Sequence, residues 1–205
     1  MNNYYFVTDI ETNGPSPQEN SMLSFATVAV REDGKLIGEF ESVLQPRHDR
    51  IQNKSTMQWW KTQPDAWKAA TENAKPPCDE MLRFVNWLSQ FDGYRSFAAR
   101  PLLFDGLWMD CYLREYTNTY ILDVPHWGKN VFTAAAIDID SYMLGVFGRI
   151  QATTPASNIP IEWLGDHEHT HRAIDDARGY ATLLSKLLKI ASNKNSIPED
   201  FLNPY

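Results

Sequence analysis

The sequence has few cysteines and no long apolar run. Cys78 and Cys111 are the only cysteines among 205 residues. They form no C-x-x-C pair and no zinc-ligand pattern, so we expect two buried, reduced thiols and no disulfide-stapled secreted fold. No window approaches eighteen consecutive apolar residues, and the first residues lack a basic segment followed by a long apolar one. These absences predict a cytoplasmic protein without a membrane-spanning helix.

The chain also lacks a positive charge balance. It carries 19 basic and 26 acidic side chains, a formal net charge of −7. This excludes the overall basic field of a protein that coats duplex DNA, and any nucleic acid would have to be held locally, for example through divalent cations. No phosphate-binding loop, dinucleotide fingerprint or nucleophile elbow occurs either, which argues against the chemistries those motifs serve.

The chain contains enough hydrophobic residues to form the core of one globular domain, since 43% of its residues are hydrophobic and 22% are charged. Alternating apolar residues predict a meander of three strands, and helical spacing dominates most of the later segments. This layout is typical of α/β or α+β proteins. The predicted strands are 4–11, 22–30, 36–44 and about 94–99; the predicted helices include one interrupted near Pro64, then 78–91, 102–116 and 173–190, with a region of loop from about 145 to 170.

Two acids end the first strand. Asp9 and Glu11 are two residues apart, so their side chains leave the same face of the strand, about 6–7 Å apart along it. Like charges at this spacing repel, and a divalent metal ion is an economical partner for them. A strand end with two solvated acids is the alternative.

Two later helices begin with acids. Asp105 follows a predicted strand at the start of its helix, where α/β proteins place ligand-facing residues. Asp175 and Asp176 are adjacent in the first turn of the last helix, and they differ by about 100° in direction, so only one of them can face a common site. Acids that favour a helix N-terminus, with no further role, are the alternative in both places.

A histidine precedes the last helix. His171 could take a proton from water in a site lined by Asp176, because its ordinary pKa lies near neutrality. Two further histidines, His167 and His169, occur in the same stretch, HEHTH, so a zinc site and a plain surface loop are alternatives.

Together these segments resemble the DEDDh 3′–5′ exonucleases of the ribonuclease H-like superfamily. The resemblance lies in DIETNG (9–14), in Phe104-Asp105 followed by a helix, and in HRAIDD (171–176). A shorter stretch, STMQWWKTQPDAW, is similar to a region of phage exonuclease A and related small exoribonuclease-like proteins. The resemblance implies an α/β, ribonuclease H-like fold with a five-stranded mixed sheet flanked by helices, as a single exonuclease domain over 1–192 and a tail over 193–205.

The family also implies a mechanism. Four acids would bind two Mg²⁺ or Mn²⁺ ions, with His171 as the general base, and the substrate would be the 3′ end of single-stranded RNA or DNA, with RNA favoured. The region before Phe104 departs from the family pattern, which leaves Asp110 as an alternative to Asp105. Relatives that act on short RNA often pair, so a homodimer is an option. The implied metal ligands are Asp9, Glu11, Asp105 and Asp176, and the implied substrate contacts are Thr12, Asn13 and Gly14 through the backbone, with Met22 or Leu23 as an apolar wedge.

Two rival functions stay open at this point. One is a ribonuclease H-like domain that binds nucleic acid or a protein without catalysis, and the other is a phosphodiesterase of small nucleotides. The four acids Asp9, Glu11, Asp105 and Asp176 argue against the non-catalytic binding domain, since such a domain has no need to hold repelling carboxylates together. Trp59 and Trp60 are candidates for base stacking, with core packing as the alternative.

Overall fold

The computed structural model describes residues 1–121, 129–148 and 159–194. Within these ranges the chain forms seven strands. They are β1 (Asn2–Thr12), β2 (Met22–Arg31), β3 (Leu36–Val43), β4 (Gly93–Ala99), β5 (Thr119–Tyr120), β6 (Lys129–Asn130) and β7 (Ile137–Asp138). Five of the strands form one sheet in the order β3-β2-β1-β4-β7, and β5 pairs with β6.

The large sheet is mixed. Its first three strands form the predicted antiparallel meander, while β4 lies parallel to β1 and β7 lies parallel to β4. The turn between β2 and β3 contains Gly34 at φ +77°, a left-handed conformation that glycine adopts without strain. Asp33 stabilises this turn by accepting a hydrogen bond from the Lys35 N–H at 3.0 Å. The topology places β1 at the centre of the sheet, next to both β2 and β4.

Six α-helices surround the sheet in the described ranges. Pro64 occupies the first turn of the second helix, where its missing N–H costs no helical hydrogen bond, and this explains the predicted interruption. A 3₁₀ turn, Ile161–Leu164, precedes the last helix. The helices are α1 (Lys54–Trp60), α2 (Pro64–Thr71), α3 (Pro77–Leu88), α4 (Leu102–Thr117), α5 (Ile139–Phe147) and α6 (Ala173–Lys194).

Each face of the sheet is covered by a hydrophobic core. One core is aromatic and lies between the sheet and α3 and α4, with Phe6, Phe97 and Trp108 fully buried. The other lies under α6, whose predicted apolar face packs against β1 and β2. Burial of both faces is typical of a sheet in a layered α/β fold, and it confirms the predicted fold class. The buried residues of that α6 face are Ile174, Ala177, Ala181, Leu184 and Leu188.

Some expectations need correction. Cys78 is exposed rather than buried, because it lies in the first turn of α3 away from the face formed by Met81, Phe84 and Leu88; Cys111 is half-buried, and both thiols are free. The predicted loop region from 145 to 170 contains the end of α5 and the 3₁₀ turn, and its residues 149–158 lie outside the described ranges.

The last helix continues to Lys194, and residues 195–205 of the predicted tail lie outside the described ranges. None of the helices in the described parts of the chain combines the length and apolar character that crossing a bilayer requires.

Candidate active site

The centre of the site is the carboxyl end of β1. Asp9 and Glu11 point to the same side of this central strand, as their spacing predicts, and each is less than 10% exposed. The pairing of β1 with β2 shifts register directly after Glu11. Because β1 is the central strand and pairs with β2 on one side and β4 on the other, both carboxylates lie near the middle of the sheet and not beside an outer strand.

The first turn of α6 brings a third acid to this edge. Carboxylate oxygens of Asp9, Glu11 and Asp176 lie within 4.8 Å of one another. One oxygen of Asp176 accepts a hydrogen bond from the Thr170 N–H at 3.1 Å, and the other lies 3.0 Å from Nδ1 of His169. The side chain of Asp176 is only 1% exposed, so these contacts fix it in one orientation.

Its neighbour Asp175 points elsewhere. The Asp175 side chain is 22% exposed and lies 3.5 Å from a guanidinium nitrogen of Arg172 and 3.6 Å from one of Arg178. It also accepts a hydrogen bond from the Thr170 hydroxyl at 2.9 Å. Of the two adjacent acids, therefore, one belongs to the site and one belongs to the helix surface, as the difference in direction predicts.

The fourth acid is Asp105 in the first turn of α4. It is 3% exposed, and its Oδ2 is buried without a hydrogen-bond partner among the described residues. Asp110, the alternative ligand, lies one and a half turns later, accepts a hydrogen bond from the Ile121 N–H at 2.9 Å and pairs with Arg114. The charge of Asp105, and not that of Asp110, acts on both Asp9 and Glu11, so Asp105 is the acid of α4 that lies beside them. We call Asp9, Glu11, Asp105 and Asp176 the acidic cluster.

The acidic cluster is electrostatically unfavourable by itself. Burial, followed by the charges of Asp105, Glu11 and Asp176, raises the pKa of Asp9 well above its usual range. Burial, followed by the charges of Asp176 and Asp105, raises the pKa of Glu11. Burial also raises the pKa of Asp105, although backbone hydrogen bonds oppose that shift. Carboxylates concentrated in this way favour a bound cation, because a positive charge removes both the repulsion and the desolvation penalty.

His171 lies beside the acidic cluster, in the loop that leads into α6. Its backbone is in the left-handed region at φ +58°. Its ring packs edge-to-face against Trp59 at a centroid distance of 4.9 Å, and against His169 at 4.4 Å. Burial and the neighbouring His169 lower the pKa of His171, while Asp176 opposes this shift. A half-buried imidazole of this kind stays neutral near pH 7 and can accept a proton.

Two contributors to this arrangement were not expected from the sequence. His169 is in direct contact with Asp176, whereas the sequence offers His169 as part of a plain surface loop or of an alternative zinc site and predicts no contact with the acids. Trp59 reaches the site from α1 and is 38% exposed, while Trp60 is buried and donates a hydrogen bond from Nε1 to the Thr12 carbonyl at 2.9 Å. The HEHTH stretch and the adjacent tryptophans are recognisable in the sequence, but the sequence does not indicate which imidazole or indole ring faces the site.

The backbone of the predicted substrate loop, residues 12–14, is strongly tied to the protein. The Thr12 hydroxyl donates to the Gly14 carbonyl at 2.8 Å, and the Asn13 N–H donates to the Ser21 carbonyl at 3.0 Å. A Cβ at Gly14 would lie 2.2 Å from Cγ of Asn20, so a larger residue would displace this loop. The loop follows directly after Glu11, and Thr12, Asn13 and Gly14 are all buried, so their contact with a substrate stays a prediction.

Met22 and Leu23 are both fully buried at the start of β2. Met22 packs in the aromatic core, and Leu23 packs with Trp60 under α1 and α2. Neither side chain presents an apolar surface to a substrate in this structure, so the wedge role stays a prediction.

The family model for the 3′–5′ exoribonuclease Rv2179c-like domain matches residues 4–188. The chain belongs to this family. The match spans β1 to α6 and therefore includes all four acids and His171. This membership confirms the predicted enzyme class, a 3′–5′ exonuclease.

Known relatives agree with this membership. This chain is 27% identical over 204 residues to the 3′–5′ DNA exonuclease Cap18 of Escherichia coli, covering 91% of this chain and 92% of Cap18. Its fold is similar to that of the nuclease domain of 3′hExo, a DEDDh family member solved with rAMP, at a TM-score of 0.66, 14% identity and coverage of 91% and 92%.

The fold is also similar to that of E. coli exonuclease I in complex with a dT13 oligonucleotide, at a TM-score of 0.61 and 14% identity. This likeness covers 91% of this chain and 40% of exonuclease I, so this chain spans less than half of that protein. At these identities the two solved structures speak to the fold alone. They show that this chain has the fold of the nuclease domain of a DEDDh family member, and its own five-stranded mixed sheet agrees with the predicted architecture.

Proposed function

We propose that this chain is a divalent-metal-dependent exonuclease that hydrolyses phosphodiester bonds from the 3′ end of single-stranded nucleic acid, with RNA preferred over DNA. The observation that carries the proposal is a buried cluster of four carboxylates beside a half-buried histidine. A domain that only binds nucleic acid gains nothing from burying these repelling charges.

The acidic cluster suits a pair of hard divalent cations, Mg²⁺ or Mn²⁺. These ions prefer oxygen ligands, and each member of the cluster offers carboxylate oxygens. The partnerless Oδ2 of Asp105 supports this fit, since a buried oxygen without a hydrogen bond is costly unless something positive binds it. When bound, two such ions supply charge that favours ionisation of the attacking water and stabilises the departing 3′ oxygen.

The protein groups have separate roles in this proposal. Asp9, Glu11, Asp105 and Asp176 bind the cations and hold them at the edge of the sheet. His171 accepts the proton of the attacking water at an imidazole nitrogen, and its lowered pKa keeps that nitrogen available at neutral pH. The ring of Trp59 packs edge-to-face against His171, and its exposed part leaves an aromatic surface beside the imidazole.

Substrate is held locally in this proposal, because a chain of net charge −7 does not attract a polyanion as a whole. The loop of Thr12, Asn13 and Gly14 contacts the terminal nucleotide through its backbone. An apolar wedge by Met22 or Leu23 stays a prediction, and it requires one of these buried side chains to leave its place in the core.

The choice of RNA over DNA follows the family description, which names an exoribonuclease, whereas Cap18 is described as a DNA exonuclease. Discrimination would depend on contacts with the 2′-hydroxyl. A homodimer also stays a prediction, which light scattering coupled to size exclusion would measure directly.

A degradation assay tests the proposed activity. Single-stranded RNA and DNA of matched sequence, labelled at the 5′ end, are incubated with Mg²⁺ or Mn²⁺, and with EDTA as the metal-free control. We expect a ladder that shortens from the 3′ end, faster on RNA, and lost with EDTA. The Asp105→Asn protein should be inactive, whereas Asp110→Asn, a matched acid on the same helix, should retain activity. Folded, metal-loaded protein that cleaves neither strand would refute the proposal.

A further inference from the structure

A second set of potential metal ligands lies at the edge of the acidic cluster. Nitrogen atoms of His169 and His171 and a carboxylate oxygen of Asp176 lie within 4.8 Å of one another. The closest pair is Nδ1 of His169 and Oδ2 of Asp176, at 3.0 Å. This set contains two imidazoles and one carboxylate, and it therefore differs in chemistry from the all-oxygen acidic cluster.

Imidazole nitrogen changes which metal is favoured. Mg²⁺ prefers oxygen ligands, whereas Zn²⁺ binds histidine nitrogen readily and takes four ligands in a tetrahedron. Zinc–ligand distances of about 2.0–2.1 Å place neighbouring ligand atoms roughly 3.3 Å apart in a tetrahedron. The pair formed by His169 and Asp176 is already near this separation, so only the ring of His171 has to move closer.

The surroundings favour a cation at this position. The Thr170 N–H holds the other oxygen of Asp176, which orients the ligand oxygen toward His169. The side chain of His169 is 34% exposed, so an ion can enter from solvent. On the inner side, carboxylate oxygens of Asp9 and Glu11 lie within 4.8 Å of an oxygen of Asp176.

We propose that His169, His171 and Asp176 form a zinc site, and that Zn²⁺ bound there inhibits the exonuclease. Such an ion occupies the imidazole that acts as general base and one carboxylate of the acidic cluster at the same time. The inhibitory effect rests on the proposed function, whereas the binding of zinc does not.

Metal titration of the full chain tests the binding. Metal-stripped protein is titrated with Zn²⁺ in competition with a chromophoric chelator, and with Co²⁺ to record its visible absorption. The variants are His169→Gln and His169→Asn, whose amides can still donate to Asp176 but are poor zinc ligands. His167→Gln is the matched control, since it removes a histidine of the same loop that lies outside the ligand set.

For the wild type and His167→Gln, we expect one zinc ion per chain and the intense visible bands of tetrahedral Co²⁺. Both His169 variants should lose at least about tenfold in zinc affinity. Thermal unfolding verifies that they are folded. Equal zinc affinity in the wild type and both His169 variants would overturn the proposal, as would a weak, octahedral Co²⁺ spectrum in the wild type.

Inhibition is measured separately, as the zinc concentration that halves Mg²⁺-supported hydrolysis. This zinc concentration should be at least about tenfold higher for the His169 variants than for the wild type, and it should be unchanged for His167→Gln. Equal inhibition of all proteins would overturn the regulatory role and assign inhibitory zinc to the carboxylates alone. If no protein hydrolyses nucleic acid, the proposed function fails, and the titration still decides whether the zinc site exists.

Discussion

The adjacent acids Asp175 and Asp176 allow a test in which two neighbours of the same residue type should respond in opposite ways. The perturbation is Asp→Asn at each position, which keeps the shape of the side chain and removes its charge. Asp176 is buried in the acidic cluster, whereas Asp175 is 22% exposed and pairs with two arginines at 3.5 and 3.6 Å. Only the first change removes a cation-binding carboxylate.

The expected magnitudes follow from these environments. A bound divalent ion contributes several kcal/mol of transition-state stabilisation, so loss of about 4 kcal/mol through Asp176→Asn lowers the rate about 10³-fold. Asp175→Asn weakens exposed ion pairs worth about 0–1 kcal/mol each and one acid at a helix N-terminus. It should therefore lower the free energy of unfolding by roughly 1 kcal/mol and change the rate by about twofold or less.

The assay is the initial rate on a 5′-labelled single strand at saturating Mg²⁺, with calorimetric Mg²⁺ titration and thermal unfolding of both variants. Asp176→Asn should lose rate and Mg²⁺ affinity together while remaining folded. The reasoning is refuted if both variants lose the same rate, or if Asp175→Asn is the more damaging change.

Further predictions concern stability, the base and the tryptophans. Without metal, the fold should lose stability as pH rises above the ordinary carboxyl range. The reason is that Asp9 and Asp105 have raised pKa values, so the folded state retains protons that the unfolded chain releases. Scanning fluorimetry should therefore show that Mg²⁺ increases the melting temperature by an amount that grows with pH, and an increase that does not change with pH would contradict this. His171→Asn should lower kcat about 10²- to 10⁴-fold and remove the acid limb of the pH–rate profile, which in the wild type should lie below the usual histidine range because the pKa is lowered. Trp59→Ala should leave the fold intact and raise KM by up to about 100-fold, because it removes base stacking worth about 1–3 kcal/mol. Trp60→Ala, at a buried position, should instead lower the free energy of unfolding by about 3–5 kcal/mol. Unchanged substrate binding by a folded Trp59→Ala protein would refute the stacking role.

Much of the architecture is readable along the chain because it depends on local periodicity. Alternation along β1 predicts that Asp9 and Glu11 share a face, and helical spacing predicts the buried face of α6. The same helical geometry predicts that Asp175 and Asp176 diverge. These relations hold within one strand or one helix, where the backbone determines direction.

The sequence by itself therefore determined the α/β class, the elements that carry the acids and the resemblance to DEDDh exonucleases. Tertiary structure alone decided that Asp105 rather than Asp110 joins the acidic cluster, and that Trp59 rather than Trp60 contacts His171. It also decided that His169 binds Asp176 and that Met22 is buried. The first two depend on which helix packs on which face of the sheet, and contacts between residues about a hundred positions apart leave no period in the sequence to read. The contact between His169 and Asp176 is local in the chain, but it depends on the irregular loop that leads into α6, whose direction no helical or strand period predicts.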